Sequence, residues 1–325
     1  MKIKKIILSI LAIAIIFGII AFLAIGGKRN TTEDAKIKIV ASNFASYDFL
    51  RAIIGDNEEI ELTFLLGPGK DAHSYDPTAG DLIKIQNADL FVYVGGEMEK
   101  WADKVLESTD SNGKEIICIS DFVEKMEEKE VDGAEDEHHD EEHEHEEGAF
   151  DEHIWTSPAN AIKMVNALEE AMEKIDNENA ATYKKNADEY INQINEVDKK
   201  IQAVVDNKVR NRLVFADKMP MQYFINYYNL QVTAAFSGCL AETEPSASTI
   251  AYIERKVKEE KIPVILYIEL NNGQVAKTIA SDVASGVEAM QIQTIHNVSL
   301  DDFKNGETWV SLMNRNLDVL KKALQ

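Results

Sequence analysis

The chain has 325 residues, a formal net charge of −23 and two cysteines. That length suits one large or two medium domains with real cores, and the acidic balance, lacking any basic stripe to neutralise phosphates, excludes nucleic acid as a partner. Cys118 and Cys239 have no CxxC spacing, which excludes a zinc ribbon or a dithiol redox motif and leaves their pairing open.

Lys2, Lys4 and Lys5 precede an uncharged apolar run from Ile6 to Ile25. Twenty such residues can span a bilayer and exceed the usual core of a cleaved signal. Residues 1–30 are therefore expected to be an uncleaved membrane anchor with the remainder outside the cytoplasm; cleavage after the run would release a secreted protein. Residues 31–36 read as a polar tether.

Beyond it, apolar runs at Ile37–Ala41, Ile60–Leu66, Leu90–Val94 and Glu115–Ile119 alternate with helical patterns at Ser46–Ile54, Thr78–Gln86, Met98–Glu107 and Pro158–Ile175. Such βα alternation predicts a parallel sheet covered by helices, here an N-terminal lobe over 37–176. Gly95-Gly96 reads as a strand-to-helix turn. Within this lobe, residues 132–150 form an acidic, histidine-rich loop. Of the net charge, −15 lies between Asp121 and Glu152, and His138, His139, His143 and His145 fall in a run with no apolar periodicity. Imidazoles and carboxylates mixed in this way suit divalent cations such as zinc, copper or nickel, so these four are read as accessory, loosely held metal ligands. His153 differs: Ile154 and Trp155 follow it, and Ser157-Pro158 reads as a helix start with serine as cap.

From Glu178 to Lys208 the rhythm changes. Tyr183, Ala187, Tyr190, Ile194, Val197, Ile201 and Val204 recur at spacings of four and three, the stripe of one long helix, about 46 Å over its 31 residues. A coiled coil for dimerisation is the alternative. One helix lying across both halves of a monomer is preferred, with residues 177–208 as the linking segment. The alternation then returns over 209–325, with strands at Leu213–Ala216, Gln231–Phe236, Val264–Leu270 and Met290–Ile295. Helices are predicted at Pro220–Tyr228, Ser246–Glu260, Gln274–Ser285 and Glu307–Leu324. The predicted fold is α/β: two lobes, each a four-stranded parallel sheet flanked by helices, joined by one long helix. Tyr223, Phe224, Tyr227 and Tyr228 read as core.

Ligands of open parallel sheets bind beyond the carboxyl ends of the strands. His73 follows the second strand, within Gly67–Pro77; His153 precedes the lobe's last helix; Asp217 and His296 follow strands of the second half. Three imidazoles and a carboxylate, two from each lobe, suit four-coordinate zinc. No GxSxG, HExxH, P-loop or dinucleotide fingerprint is present, so an enzyme is not expected. A zinc hydrolase is the rival reading, with Glu269 as its base; otherwise Glu269 is a candidate support behind the ligands.

These residues resemble the zinc- and manganese-type solute-binding proteins of ABC importers. The likeness runs from Ile37 to the C-terminus. It is carried by Gly67–Pro77 with His73, Asn87-Ala88-Asp89, Gly95–Trp101, Asp151–Pro158 with His153, and Ala241–Ser246. The resemblance implies two lobes bridged by a long helix, capture of Zn2+ in the interlobe cleft, and delivery to a permease and its ATPase. An acidic histidine loop before the second ligand is typical of zinc-handling relatives. Mn2+ is the alternative cargo, though three imidazoles favour zinc; a metal-dependent surface adhesin is the non-transport alternative. Where relatives place His or Glu before an aromatic pair, this chain has Lys218 before Tyr223-Phe224, so the role is assigned to the adjacent Asp217. His296 stands where relatives commonly carry aspartate, and the lipid-attachment cysteine is missing.

Overall fold

A computed structural model describes residues 36–108, 112–133, 150–237, 244–283 and 285–325. The first half runs β1 (Ile37–Ala41), α1 (Phe44–Ile54), β2 (Ile60–Phe64), α2 (Ala79–Gln86), β3 (Leu90–Tyr93), α3 (Lys100–Ser108), β4 (Glu115–Cys118) and α4 (Pro158–Ile175). The long helix α5 spans Ala180–Asp206. The second half runs β5 (Arg212–Lys218), α6 (Gln222–Tyr227), β6 (Gln231–Phe236), α7 (Ala247–Glu260), β7 (Val264–Ile268), α8 (Gln274–Val283), β8 (Glu288–Ile292), α9 (Leu300–Lys304) and α10 (Trp309–Leu324). Among the described residues no helix is long and apolar enough to cross a membrane. The expected anchor segment and tether lie outside them, apart from Lys36.

Each half forms a four-stranded parallel sheet, and the two sheets share one order: β2-β1-β3-β4 and β6-β5-β7-β8. Parallel strands must be buried on both faces, because the crossover helices cover them. Accordingly, the outer face of the first sheet packs Val40 and Phe91 against Ile85 and Val105, and that of the second packs Val214 and Ile265 against Ile253 and Ile279. The inner faces share one continuous core, in which Phe49 and Leu90 of the first half join Phe215, Leu266 and Trp309 of the second.

Helix α5 runs through that shared core. All seven residues of its predicted stripe are buried, within the same chain, which accounts for the stripe without a partner helix. At 27 residues it is shorter than the periodicity suggested, because Asn177–Asn179 form a separate 3-10 turn before it. Asp48 of α1 ties the halves together at the centre: it accepts from the Tyr190 hydroxyl of α5, from the Trp309 amide that opens α10 (2.7 Å) and from Arg51 (2.5 Å). Arg51 also donates to the Glu307 carbonyl at 2.8 Å.

A strap provides a second connection. After β4, residues 123–133 leave the first half and cross to the second, where Met126 N–H donates to Tyr223 Oη (3.0 Å) and Lys129 N–H to Gln222 Oε1 (2.9 Å). Asp132 bridges to Thr233 of β6, and its carboxylate is held by Arg212 at 3.0 Å and Lys256 at 3.2 Å. The chain re-enters at Phe150, bridged to Glu127.

Three local expectations shift. Ser157 occupies the cap position of α4 but its side chain makes no capping bond; Pro158 at the first turn sets the start instead. Strand β8 ends at Ile292, three residues early, because the amides of Thr294 and His296 turn to the Glu269 carboxylate rather than to a neighbouring strand. Helix α9, absent from the periodicity reading, is five residues long and is started by Ser299 accepting the Asp302 amide.

Candidate metal centre

The three histidines outside the acidic run converge. One ring nitrogen from each of His73, His153 and His296 lies within 4.8 Å of the others. Ring centroids stand 5.7 Å apart for His73–His153, 5.0 Å for His73–His296 and 5.4 Å for His153–His296. Nitrogens bound to one tetrahedral zinc at about 2.0–2.1 Å would stand roughly 3.3 Å apart, so small ring rotations suffice. The donor chemistry fits a borderline cation. Both ring nitrogens of His73 and Nε2 of His296 are buried and receive no hydrogen bond from protein, a state that a cation relieves.

Each ring is held by its own segment. Backbone glycines at φ +73° (Gly67) and +76° (Gly69) fold the loop that brings His73 in, and Asp71 Oδ1 accepts the His73 amide at 2.9 Å. For His153, Asp151 Oδ1 accepts the backbone amide at 2.9 Å and meets ring Nδ1 at 2.7 Å. A proton held on Nδ1 by that carboxylate would make Nε2 the atom able to coordinate, the arrangement by which carboxylates orient metal-binding imidazoles. The Trp155 indole packs edge-on at 5.4 Å and donates to the Thr294 carbonyl at 3.0 Å, so the loop carrying His153 grips the loop carrying His296.

His296 is aimed by backbone that few residues tolerate. Ile295 sits at φ +58°, a region β-branched side chains seldom enter, and it is held there by complete burial. Glu269 accepts from the Thr294 amide (2.8 Å), the Thr294 hydroxyl (2.7 Å) and the His296 amide (2.8 Å). Both its oxygens are thereby engaged behind the ring, which leaves it poorly placed as a hydrolytic base. Asn297 donates to the carbonyls of Gly67 and Lys70, and Gly69 N–H donates to the Val298 carbonyl at 2.8 Å, closing the His73 loop onto the His296 loop.

Electrostatics keep the site ready for a cation. Burial, and then the neighbouring His153, push His73 down to about 4. Burial, followed by the other two rings and Lys218, holds His296 well below its ordinary value. Both rings are therefore neutral, with lone pairs available, at neutral pH.

Asp217 stands outside the convergent group. It lines a cavity of about 410 Å³ together with His296, but its carboxylate accepts the Lys218 amide at 2.8 Å and the Asn271 side-chain amide. His138, His139, His143 and His145 lie outside the described residues, as does Cys239; Cys118 is a free thiol. Of the aromatic quartet, Tyr223, Phe224 and Tyr228 are buried, whereas Tyr227 is 41% exposed. Sequence reasoning gave Asp151 and Trp155 only as members of the motif around His153, without these contacts, and missed Asn297. An aspartate two residues before His153 was a legible signal; the other two act through tertiary contacts.

Known proteins resemble this chain in sequence and fold. The family model for the periplasmic component A of the zinc-uptake complex matches residues 39–323. The zinc-binding lipoprotein AdcA of Streptococcus pneumoniae (strain ATCC BAA-255 / R6) is 30% identical over 304 residues, 93% of this chain. The chain spans 59% of that relative's length. The high-affinity zinc uptake system protein ZnuA of Bacillus subtilis (strain 168) is 28% identical, with 92% of this chain and 90% of the relative covered. Among solved structures, the Zn(II)-bound ZnuA-like domain of Streptococcus pneumoniae AdcA superposes with a TM-score of 0.72 at 28% identity, covering 89% of this chain and 99% of the domain. With a family match spanning nearly all the described fold and a three-histidine centre at its middle, the chain belongs to the zinc-uptake component A family.

Proposed function

We propose that this chain is the extracytoplasmic metal-capture component of an ABC importer, binding Zn2+ reversibly between its two lobes and handing it to a permease served by an ATPase. The observation that carries this reading is the convergence of His73, His153 and His296 from three separate segments, two in the first half and one in the second. The zinc-binding names of its relatives support the cargo, and the all-imidazole donor set favours zinc over manganese. Because the ligands come from both halves, a small displacement of one loop against another alters the coordination, so uptake and release need no covalent chemistry. The N-terminal apolar segment serves as the tether to the membrane. His138, His139, His143 and His145 act as accessory, weaker ligands that gather metal near the site.

Elemental analysis of the purified protein should return one tightly held zinc per chain. His73→Ala should lose that zinc while remaining folded. It should also lose the metal-induced stabilisation, about 2.7 kcal/mol when free metal is a hundred times the dissociation constant. A folded His73→Ala protein that keeps a single tight zinc would overturn the assignment.

A further inference from the structure

The boundary between the two halves carries a pair of tryptophan indoles, one contributed by each half. Trp155, two residues after His153, donates from Nε1 to the carbonyl of Thr294, two residues before His296, at 3.0 Å. Trp309, the first residue of α10, donates from Nε1 to the Trp155 carbonyl at 2.9 Å. Each half thus lends a ring to the other, and both rings are wholly buried. A buried tryptophan is ordinarily packing, but its N–H must also find a partner. Here both partners lie within two residues of a metal ligand.

Those carbonyls are available for local reasons. Trp155 lies in the 3-10 turn Ile154–Thr156, where a carbonyl takes its donor from three residues on; that residue is Pro158, which has no N–H. Thr294 lies past the end of β8, with its amide and hydroxyl both given to Glu269. The rings are anchored in turn. The Trp309 amide is held by Asp48 at 2.7 Å and its ring packs on Phe49 at 6.2 Å between centroids, while Trp155 stands edge-on to His153 itself at 5.4 Å. An indole has only two side-chain torsions, and close packing fixes both. Rigid plates, not flexible chain, therefore set the distance between the His153 and His296 segments.

We infer that Trp155 and Trp309 are positioning residues for the metal centre, holding His153 and His296 at a fixed spacing and so determining which size of divalent cation the three rings accept. This rests on the metal-capture reading above. Selection among divalent ions that take the same donors falls to geometry. A frame held in place beforehand incurs no ordering cost for the ion that fits, and resists the one that does not. Once the frame is loosened, the fitting ion loses affinity while a larger one gains room.

The test uses full-length protein in detergent with Zn2+ and Cd2+, which share a charge, both accept imidazole and differ in size. Dissociation constants for each ion are measured by chelator competition at one pH in wild type, Trp155→Phe and Trp309→Phe; phenylalanine keeps a buried ring and removes the N–H. Zinc binding should weaken about tenfold in Trp155→Phe and about fivefold in Trp309→Phe. Cadmium binding should weaken less, so that the preference for zinc over cadmium falls by about threefold or more in each. Phe91→Leu, in the outer layer of the first sheet, is the control: it should lower Tm and leave that preference unmoved. A smaller fall in either folded tryptophan variant would overturn the proposal. So would an equal fall in Phe91→Leu, since lost stability alone would then account for the change. Should Trp155→Phe not fold, Trp309→Phe, which leaves the ring beside His153 in place, decides the matter. Wild type that takes up neither ion, or a His73→Ala protein that takes up both equally well, defeats the metal reading and this inference with it.

Discussion

Glu99 sits wholly inside the first half, beside the turn between β3 and α3, where its carboxylate accepts the amides of Val94 (2.5 Å) and Gly95 (3.0 Å). Those bonds favour the charged form, but burial outweighs them and pushes the group up to about 7. A folded-state value above the unfolded one of about 4.5 means that its contribution to stability is complete below pH 4.5. It is lost as pH rises towards 7, by at most about 3 kcal/mol. Glu99→Gln should flatten that part of the profile in urea melts of the metal-free protein; an unchanged slope would show the carboxylate already ionised in the fold. His73 works with the opposite sign. Held at about 4, it makes the fold lose stability as pH falls from about 6.5 to 4, so only the difference between variant and wild type isolates Glu99. The neighbouring Gly96 was legible as a turn residue, with φ +80°. What the sequence concealed is why no side chain fits: a Cβ there would lie 2.5 Å from Glu152 Cγ, an atom 56 positions away.

At the level of elements, local chemistry made much of the architecture readable. The run Pro158–Ile175 was placed to the residue because Pro158 fixes its start, and the buried stripe of α5 followed from spacing alone. Two elements were misjudged where tertiary bonds override local pattern. Strand β8 stops early for Glu269, and the strap over 123–133 has no periodicity because its amides find side chains on the other half. That strap has a consequence for His153. The Met126 amide donates to Tyr223, the Met126 carbonyl accepts the Asp151 amide at 2.9 Å, and Asp151 holds the imidazole. Tyr223→Phe should therefore loosen a ligand it never touches, raising the zinc dissociation constant about three- to tenfold, with a loss of roughly 1 kcal/mol in stability. Equal zinc affinity in competition titrations of the two proteins would disconnect strap from site.

For the whole molecule, the doubled βα pattern disclosed two sheets, but not that both share the order 2-1-3-4, which depends on pairings between distant strands. Nor could it disclose which of the four expected ligands would meet: placement at strand ends is common to Asp217 and His296, whereas only His296 is turned inward, by the backbone at Ile295. The accessory histidines are separable in this arrangement, because both ends of their segment are anchored, at Asp132 and at Phe150. Removing Glu135–Glu147 should abolish weak zinc sites in a titration while sparing the tight one and the melting temperature; loss of the tight site in the folded deletion protein would refute that division. The span of the triad has one further effect. An ion joining His73 to His153 to His296 closes loops of 80 and 143 residues, acting as a cross-link through coordinate bonds. Cross-links closing loops that long restrict the unfolded chain most, so the loaded protein is stapled and the emptied one is not. Loss of the ion would therefore also leave the protein in its more perishable form, the one a protease would open first.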